Sequence, residues 1–196
     1  YHVHGYSGSG KSVMALSLLE GRIAADEDLA DVTFACTTCG LCDVACKFIM
    51  DSERQVVNVA LREHLVEVGL ARPAHRAVIE KTRREAETGG GAVPLYRVRA
   101  DGPGLTEHPG RRADVLLIPP REGGMDATAT TARLARLLAR AGVDAAIPGG
   151  GPVDTGVFAY WTGHRDLFTE TAGRLAKAID GLEIASVVAV SGADLG

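Results

Sequence analysis

Apolar residues recur every three or four positions from residue 12 to residue 88, which is the spacing of one face of an α-helix. This spacing predicts four helices, at 12–20, 27–35, 52–68 and 73–88. Asp26 and Ser52 stand where helix N-caps belong, and Gly69 and the glycine run 89–91 stand where the last two helices should end. The first part of the chain is therefore expected to be helical.

The pattern changes after residue 112, where short continuous apolar runs alternate with helical stretches. Strands are predicted at 115–118, 143–147 and 184–190, with helices between them at 128–141 and 164–179. Such continuous runs are typical of strands in a buried parallel sheet, and their alternation with helices indicates a Rossmann-like layer. Gly and Pro are frequent in 91–112, so we predict a linker there between domains at 1–90 and 113–196.

The chain has 196 residues, of which 46% are hydrophobic and 23% are charged, and its net charge is −4. This composition argues against a disordered tail, and the charge argues against a strong binder of nucleic acid or anionic membranes. No apolar stretch is long enough to span a bilayer, and no signal peptide opens the sequence. We expect a cytoplasmic protein, peripheral to a membrane only through a partner subunit. The missing initial Met predicts that more sequence precedes residue 1.

All four cysteines lie within eleven residues, in the pattern Cys-x2-Cys-x2-Cys-x3-Cys at Cys36, Cys39, Cys42 and Cys46. Disulfides stabilise a fold by closing long loops, which cysteines this close together cannot do. The pattern is that of bacterial ferredoxins, whose thiolates hold a [4Fe–4S] cluster. A zinc knuckle and four buried free cysteines are the alternatives, although zinc sites usually join two separated cysteine pairs. We predict that all four cysteines bind a [4Fe–4S] cluster.

The fourth cysteine of such a run is expected to start a helix, and in two-cluster ferredoxins it ligates the other cluster. If that exchange applies, Cys46 serves a second [4Fe–4S] cluster, whose own motif would lie upstream of residue 1. Lys47 departs from the ferredoxin pattern, in which proline usually follows the fourth cysteine. Gly40 is expected to let the backbone turn close to the sulfurs, where its amides can stabilise the negative charge of a cluster.

Residues Gly5–Ser12, which we call the glycine–lysine segment, match the phosphate-loop pattern Gly-x4-Gly-Lys-Ser. A phosphate loop joins a buried strand to a helix, so that amides at the helix N-terminus can hold the phosphates. Four residues before Gly5 are too few to establish such a strand, and no downstream strand ends in an aspartate for magnesium. We prefer a Gly/Ser loop that opens a helix, and nucleotide binding stays the alternative.

Residues 6–21, 26–30, 36–42 and 61–91 together resemble the second cluster region of heterodisulfide reductase-like iron–sulfur oxidoreductases of the D type. The iron–sulfur subunits of glycolate oxidase and of anaerobic glycerol-3-phosphate dehydrogenase are similar. In that family a Ser-x-x-Gly-Lys-like segment precedes the helix before the cysteines, which would explain Gly10 and Lys11 without ATP. The family has its first cluster motif upstream, in agreement with a chain that begins earlier.

The family continues into Rossmann-like CCG domains, whose cysteine pairs hold a catalytic cluster or lie near a flavin or haem partner. Residues 113–196 resemble such a domain in their order of elements. The cysteines of the signature are absent, because Asp154-Thr155 stand at one pair, 191–194 at the other, and Pro119-Pro120 follow the first strand. The resemblance therefore implies a degenerate CCG domain that serves as a scaffold or docking surface and has no cluster of its own.

Together, the cysteine run and the resemblance predict an electron-transfer subunit that passes single electrons through a [4Fe–4S] cluster and has no catalytic residue of its own. Flavin- or quinone-linked redox subunits are the implied partners, in a hetero-oligomer. A nucleotide-binding protein and an interaction module stabilised by a structural metal are the alternative functions. The expected fold class is α + α/β, with a helical ferredoxin-like domain before a Rossmann-like parallel sheet.

Overall fold

The computed structural model describes residues 4–88, 95–98, 105–107, 112–119, 124–148 and 153–190. These residues form a mixed α/β protein, as expected. The chain divides into a helical unit, Tyr1–Arg84 with Phe158–Phe168, and a sheet unit, Glu85–Val157 with Thr169–Gly196. The sheet unit begins before the predicted linker at 91–112, and a short segment from the second half of the chain belongs to the helical unit.

A short 3-10 helix at His4–Tyr6 opens the described chain. It is followed by α1 (Gly8–Leu19), α2 (Glu27–Phe34), α3 (Leu41–Met50), α4 (Arg54–Glu67) and α5 (Pro73–Thr88). The four predicted helices are present, and α1 begins earlier than predicted because the Ser7 side chain caps it by accepting from the Gly10 amide. Helix α3 was expected to start at Cys46 but begins at Leu41, so the last two cysteines of the run lie on it.

The N-terminus of α4 corrects the prediction that Ser52 caps this helix. The N-cap residue is Glu53, whose side chain makes no capping hydrogen bond. Instead, the Asp43 carboxylate on α3 accepts a 2.8 Å hydrogen bond from the backbone N–H of Gln55 in the first turn of α4. A carboxylate at a helix N-terminus accepts from an otherwise unpaired amide and interacts favourably with the helix dipole. Asp43 therefore caps α4 although it is distant from that helix in the sequence.

Helices α1, α2 and α4 pack around the core of the helical unit. Its buried centre consists of Leu29 and Ala30 from α2 and Leu61 and Leu65 from α4. Partly buried side chains from α1 and from the ends of α2 surround this centre, including Met14, Leu18 and Phe34. The apolar spacing therefore predicted the helices but not always the faces that they bury, since Val13, Leu16 and Leu19 on α1 are exposed.

The second half of the chain forms the sheet. Its elements are β1 (Leu95–Val98), β2 (Leu105–Glu107), β3 (Arg112–Ile118), α6 (Gly124–Arg140), β4 (Ala145–Pro148), α7 (Val157–Trp161), α8 (Arg165–Asp180) and β5 (Glu183–Ala189). The strand order is β2-β1-β4-β3-β5. Strand β3 pairs in parallel with β4 and with β5, which confirms the parallel pairing expected for the three predicted strands. Strands β1 and β2 lie within the predicted linker and form an antiparallel edge, so the sheet is mixed.

Side chains on β3 alternate between the two faces of the sheet, as the period of a strand requires. Leu117 belongs to a core that includes Leu138 of α6, whereas Leu116 and Ile118 belong to a second core that includes Ile179 of α8. Helices therefore cover both faces of the parallel strands. Among the described residues, no helix combines the length and the apolar composition needed to cross a bilayer.

Of the three positions compared with the cysteines of CCG domains, Asp154-Thr155 is the one that lies wholly within the described chain. The Asp154 carboxylate accepts a 2.9 Å hydrogen bond from the Gly156 amide, and the Thr155 hydroxyl accepts one of 3.4 Å from the Val157 amide. These two side chains therefore stabilise the turn that leads into α7. Residues 191–194 and Pro120, which were compared with the other cysteine positions, lie outside the described residues.

Candidate functional site

The helical unit contains a cavity of about 450 Å³ that is lined by three of the four cysteines. Cys36 and Cys39 reach it from the loop between α2 and α3, and Cys42 reaches it from the first turn of α3. The opposite wall is formed by the first turns of α1 and α4. Cys46 lies one helical turn after Cys42, is half-buried, and is not among the residues that line the cavity.

Two residues with positive φ bend the cysteine loop. Thr38 has a φ of 56° and Gly40 a φ of 71°, both in the left-handed region, which glycine adopts most readily. A Cβ on Gly40 would lie 3.3 Å from the Gln55 Oε1, so the turn also lies close to α4. The Thr38 amide donates a 3.4 Å hydrogen bond to the Cys36 Sγ. The turn expected at Gly40 is confirmed, and it brings a backbone amide to a sulfur.

The cysteine thiols differ in their electrostatic surroundings. A hydrogen bond from the backbone of Leu41, followed by one from the Thr37 side chain, lowers the pKa of the exposed Cys39. Burial, followed by the nearby charge of Asp43, raises the pKa of Cys42. Amide donors at the open edge of the cavity therefore favour a thiolate, whereas the more enclosed position of Cys42 disfavours one in the absence of further positive charge.

Two buried cations lie beside the cysteine loop. The sequence offered Lys11 only within the phosphate-loop alternative and did not single out Arg62. Lys11 is 4% exposed, lines the cavity, and donates from Nζ to the Tyr6 carbonyl at 2.7 Å. Arg62 is also 4% exposed, and its guanidinium donates to the Cys36 carbonyl at 2.6 Å. It makes further hydrogen bonds to the carbonyls of Thr33 and Trp161.

Burial lowers the pKa of both Lys11 and Arg62, and the Cys36 thiol opposes that effect at each of them. Buried charges normally have a partner of opposite charge, because removing an ion from water is costly. In the part of the chain that the structure describes, neither cation forms a salt bridge with a carboxylate. Their described partners are backbone carbonyls and, for Arg62, the Phe34 ring, and the Cys36 thiol is a nearby acidic group that favours the charged form of both.

The glycine–lysine segment does not form a strand–loop–helix unit, because Gly8–Ser12 already lie in α1 and a 3-10 helix precedes them. Its glycines allow close packing. A Cβ on Gly8 would lie 2.6 Å from the Cys42 Cβ, and one on Gly10 would lie 2.0 Å from the His4 carbonyl oxygen. Packing within the helical unit therefore accounts for the two glycines, and the hydrogen bond to Tyr6 accounts for the direction of the Lys11 side chain.

Helix α4 contributes polar residues that the sequence pattern did not identify. Arg54, Gln55 and Asn58 line the cavity, and the Gln55 Nε2 donates to the Thr38 carbonyl at 3.1 Å. Asn58 and Arg62 are four residues apart and both are buried, although their residue types are usually exposed. The sequence signal that could have identified Asn58 and Arg62 is their helical spacing beside the apolar residues of 52–68. Polar residues placed there are buried only where another group pairs with them.

No described group of three or more His, Cys, Asp and Glu side chains is arranged so that it could hold a metal ion. Lys47, at the position where ferredoxins have proline, continues α3 and pairs with Glu53 at 2.7 Å. Compared with protein-family models, with curated proteins and with solved structures, the chain matches none of them.

Proposed function

We propose that this chain is an iron–sulfur electron-transfer protein in which Cys36, Cys39 and Cys42 supply three of the four ligands of a [4Fe–4S] cluster in the cavity of the helical unit, while a ligand role for Cys46 stays a prediction. One observation carries the proposal: three cysteines line a cavity beside two buried cations, Lys11 and Arg62, that have no carboxylate partner in the described chain. The cluster, when bound, would accept and release single electrons. The residues of the chain would bind it, bury it and stabilise its negative charge.

The arrangement of the cysteines suits a cluster better than a single ion. A tetrahedral zinc site needs all its ligands within about 2.3 Å of one point. A cubane cluster binds each thiolate through a different iron, so its ligands surround a volume. Cys36, Cys39 and Cys42 all line one cavity of about 450 Å³, which has room for a group larger than a single ion and so supports the cluster over the zinc knuckle.

Charge also supports the proposal. A [4Fe–4S] cluster with its thiolates is anionic, and hydrogen bonds to its sulfurs and nearby positive charge stabilise it. Lys11 and Arg62 supply the positive charge, and the amides of Thr38 and Leu41 already donate to cysteine sulfurs.

An exposed apolar surface on α3 supports the proposed redox partner. Phe48 is 91% exposed and Ile49 is 82% exposed, and Leu41 and Val44 on the same helix are also exposed. Large exposed apolar patches commonly mark interaction sites. Because the same helix carries Cys42, we propose that a flavin- or quinone-linked partner binds to α3, at a short distance from the cluster, in a hetero-oligomer.

The finer description of the fold belongs to the same proposal. We propose a ferredoxin-like helical unit and a Rossmann-like, degenerate CCG sheet unit, as in the heterodisulfide reductase-like proteins that the sequence resembles. Support for the sheet unit comes from the three parallel strands with helices on both faces and from the non-cysteine residues Asp154 and Thr155 that form a turn.

Anaerobic purification followed by iron, zinc and acid-labile sulfide analysis tests the proposal. We expect iron and sulfide in equal amounts, broad visible absorbance, and a low-temperature EPR signal after reduction with dithionite. A colourless protein that contains no iron after anaerobic purification or reconstitution would overturn the proposal. A protein that contains zinc alone would favour the structural-metal alternative.

Single Cys→Ala substitutions identify the ligands. Replacing Cys36, Cys39 or Cys42 is expected to remove most of the bound iron, because each of these residues lines the cavity. Cys46→Ala is the matched control on the same helix and should retain more iron, because Cys46 does not line the cavity. Equal loss of iron from all four variants would contradict the assignment of only three cysteines to this cavity.

A further inference from the structure

Asn58 is a buried polar side chain in the wall of the cavity. It is 3% exposed, and among the described residues neither its Oδ1 nor its Nδ2 has a hydrogen-bond partner. Buried amides in native proteins are nearly always hydrogen-bonded, because an unpaired one loses its contacts with water and gains nothing in return. The position of Asn58 therefore requires an explanation, and a group in the cavity that accepts a hydrogen bond would provide one.

The Gln55 side-chain amide and the two terminal nitrogens of Arg62 on α4 are already occupied, whereas the Nε atoms of Arg54 and Arg62 have no partner among the described residues. The Gln55 side-chain amide donates to the Thr38 carbonyl, and the Arg62 guanidinium donates to the carbonyls of Cys36, Thr33 and Trp161. These bonds hold the cysteine loop against α4. The Asn58 amide lies between these two residues along the helix, lines the cavity, and is not used to hold the loop.

We infer that the Asn58 side chain donates a hydrogen bond from Nδ2 to a sulfur of the group bound in the cavity and thereby raises its reduction potential. The inference rests on the proposed function, since it assigns Asn58 a role toward the [4Fe–4S] cluster. The reduced cluster carries one more electron than the oxidised one, so a hydrogen-bond donor stabilises the reduced form more. Asn58 acts through this hydrogen bond as a positioning and tuning residue, not as a ligand.

Asn58→Leu tests the inference, because leucine has a similar size and no hydrogen-bond donor. In the cluster-loaded protein, we expect the equilibrium constant for one-electron reduction to fall about tenfold, which is a shift of about 59 mV toward more negative potential. An EPR-monitored redox titration with dithionite measures the shift. Asn58→Ala leaves more room in the cavity and should shift the reduction potential in the same direction. This variant is used in place of Asn58→Leu if the leucine side chain prevents the cluster from binding.

The thermal unfolding midpoint of the protein without a cluster gives a second readout, and here the substitution is expected to cause no loss. There, Asn58→Leu removes an unpaired buried amide and should leave the thermal unfolding midpoint unchanged or raise it. Thr82→Val is the matched control, because Thr82 is 1% exposed with an unpartnered hydroxyl and does not line the cavity. We expect this control to leave the reduction potential unchanged. A merely structural role for Asn58 would lower the midpoint and leave the potential unaltered.

The outcomes separate this inference from the proposed function. If the unsubstituted protein binds no iron and sulfide after reconstitution, the proposed function fails and the inference fails with it. If that protein binds a cluster but the Asn58→Leu and Asn58→Ala variants have its reduction potential, only the inference is overturned. A shift of the reduction potential to more negative values in the Asn58 variants, with no shift in Thr82→Val, supports both the inference and the proposed function.

Discussion

Replacing Gly163 with alanine is expected to destabilise the helical unit strongly. Gly163 has a φ of 82°, and an added Cβ would lie 2.5 Å from the Arg62 carbonyl carbon and 2.8 Å from the Glu63 nitrogen. Both are backbone atoms of α4, so they cannot move aside as a flexible side chain could. The left-handed conformation costs alanine about 1–2 kcal/mol, and overpacking costs about 1–3 kcal/mol. We expect the free energy of unfolding to fall by about 2–5 kcal/mol.

Gly69→Ala is the matched control for this substitution. Gly69 also has a positive φ, of 87°, but an added Cβ would meet no atom within 4 Å. The Gly69→Ala substitution should therefore lower the free energy of unfolding only by the conformational cost of about 1–2 kcal/mol. Trp161 is the one tryptophan in the sequence and belongs to the helical unit, so its fluorescence during urea unfolding reports on that unit. Equal urea midpoints for the two variants would refute the close packing of Gly163 against α4.

Two further predictions concern pH and nucleotide. Burial, followed by Arg62 and Arg72, lowers the pKa of His75, and burial, followed by His75, lowers the pKa of His164. Because the unfolded chain takes up protons more readily at these residues, the free energy of unfolding should fall as pH decreases below about 6.5. Urea unfolding at several pH values measures this dependence. A urea midpoint that does not change with pH, and that is the same in the His75→Phe variant, would contradict the prediction. Millimolar ATP is expected to leave the melting temperature unchanged, and a shift that disappears in Lys11→Ala would instead support nucleotide binding.

The helix ends that were predictable are those whose caps are local. The Asp26 carboxylate accepts a 2.9 Å hydrogen bond from the Leu29 amide, so a motif of four residues was enough to predict where α2 begins. Pro73 opens α5 in the same local way. The start of α4 was not predictable by this route, because its cap is Asp43, which lies twelve residues before Gln55 in the sequence.

Three of the four cysteines that the spacing singled out line the cavity, and the spacing did not indicate the residues around them. Cys36, Cys39 and Cys42 line it, as a short repeated spacing can indicate. The burial of Arg62 depends on carbonyl partners that are 26, 29 and 99 residues away, and no local pattern contains that information. Asn58 was missed for the same reason, since its burial follows from the packing of whole helices.

The two candidate sites of the sequence are adjacent in the structure. The glycine–lysine segment, which was preferred as a Gly/Ser loop with a phosphate loop as the alternative, and the cysteine run, which predicted a cluster, were treated as separate sites. Gly8 lies so close to Cys42 that a Cβ could not fit between them, and Lys11, three residues later on α1, lines the cysteine cavity. Glycine at position 8 therefore lets α1 approach α3, and that approach brings a buried ammonium group beside the thiols. The residues that match a phosphate loop thus place a buried ammonium group in the cavity that the cysteines line, and a cluster bound there, as we propose, would be stabilised by that charge.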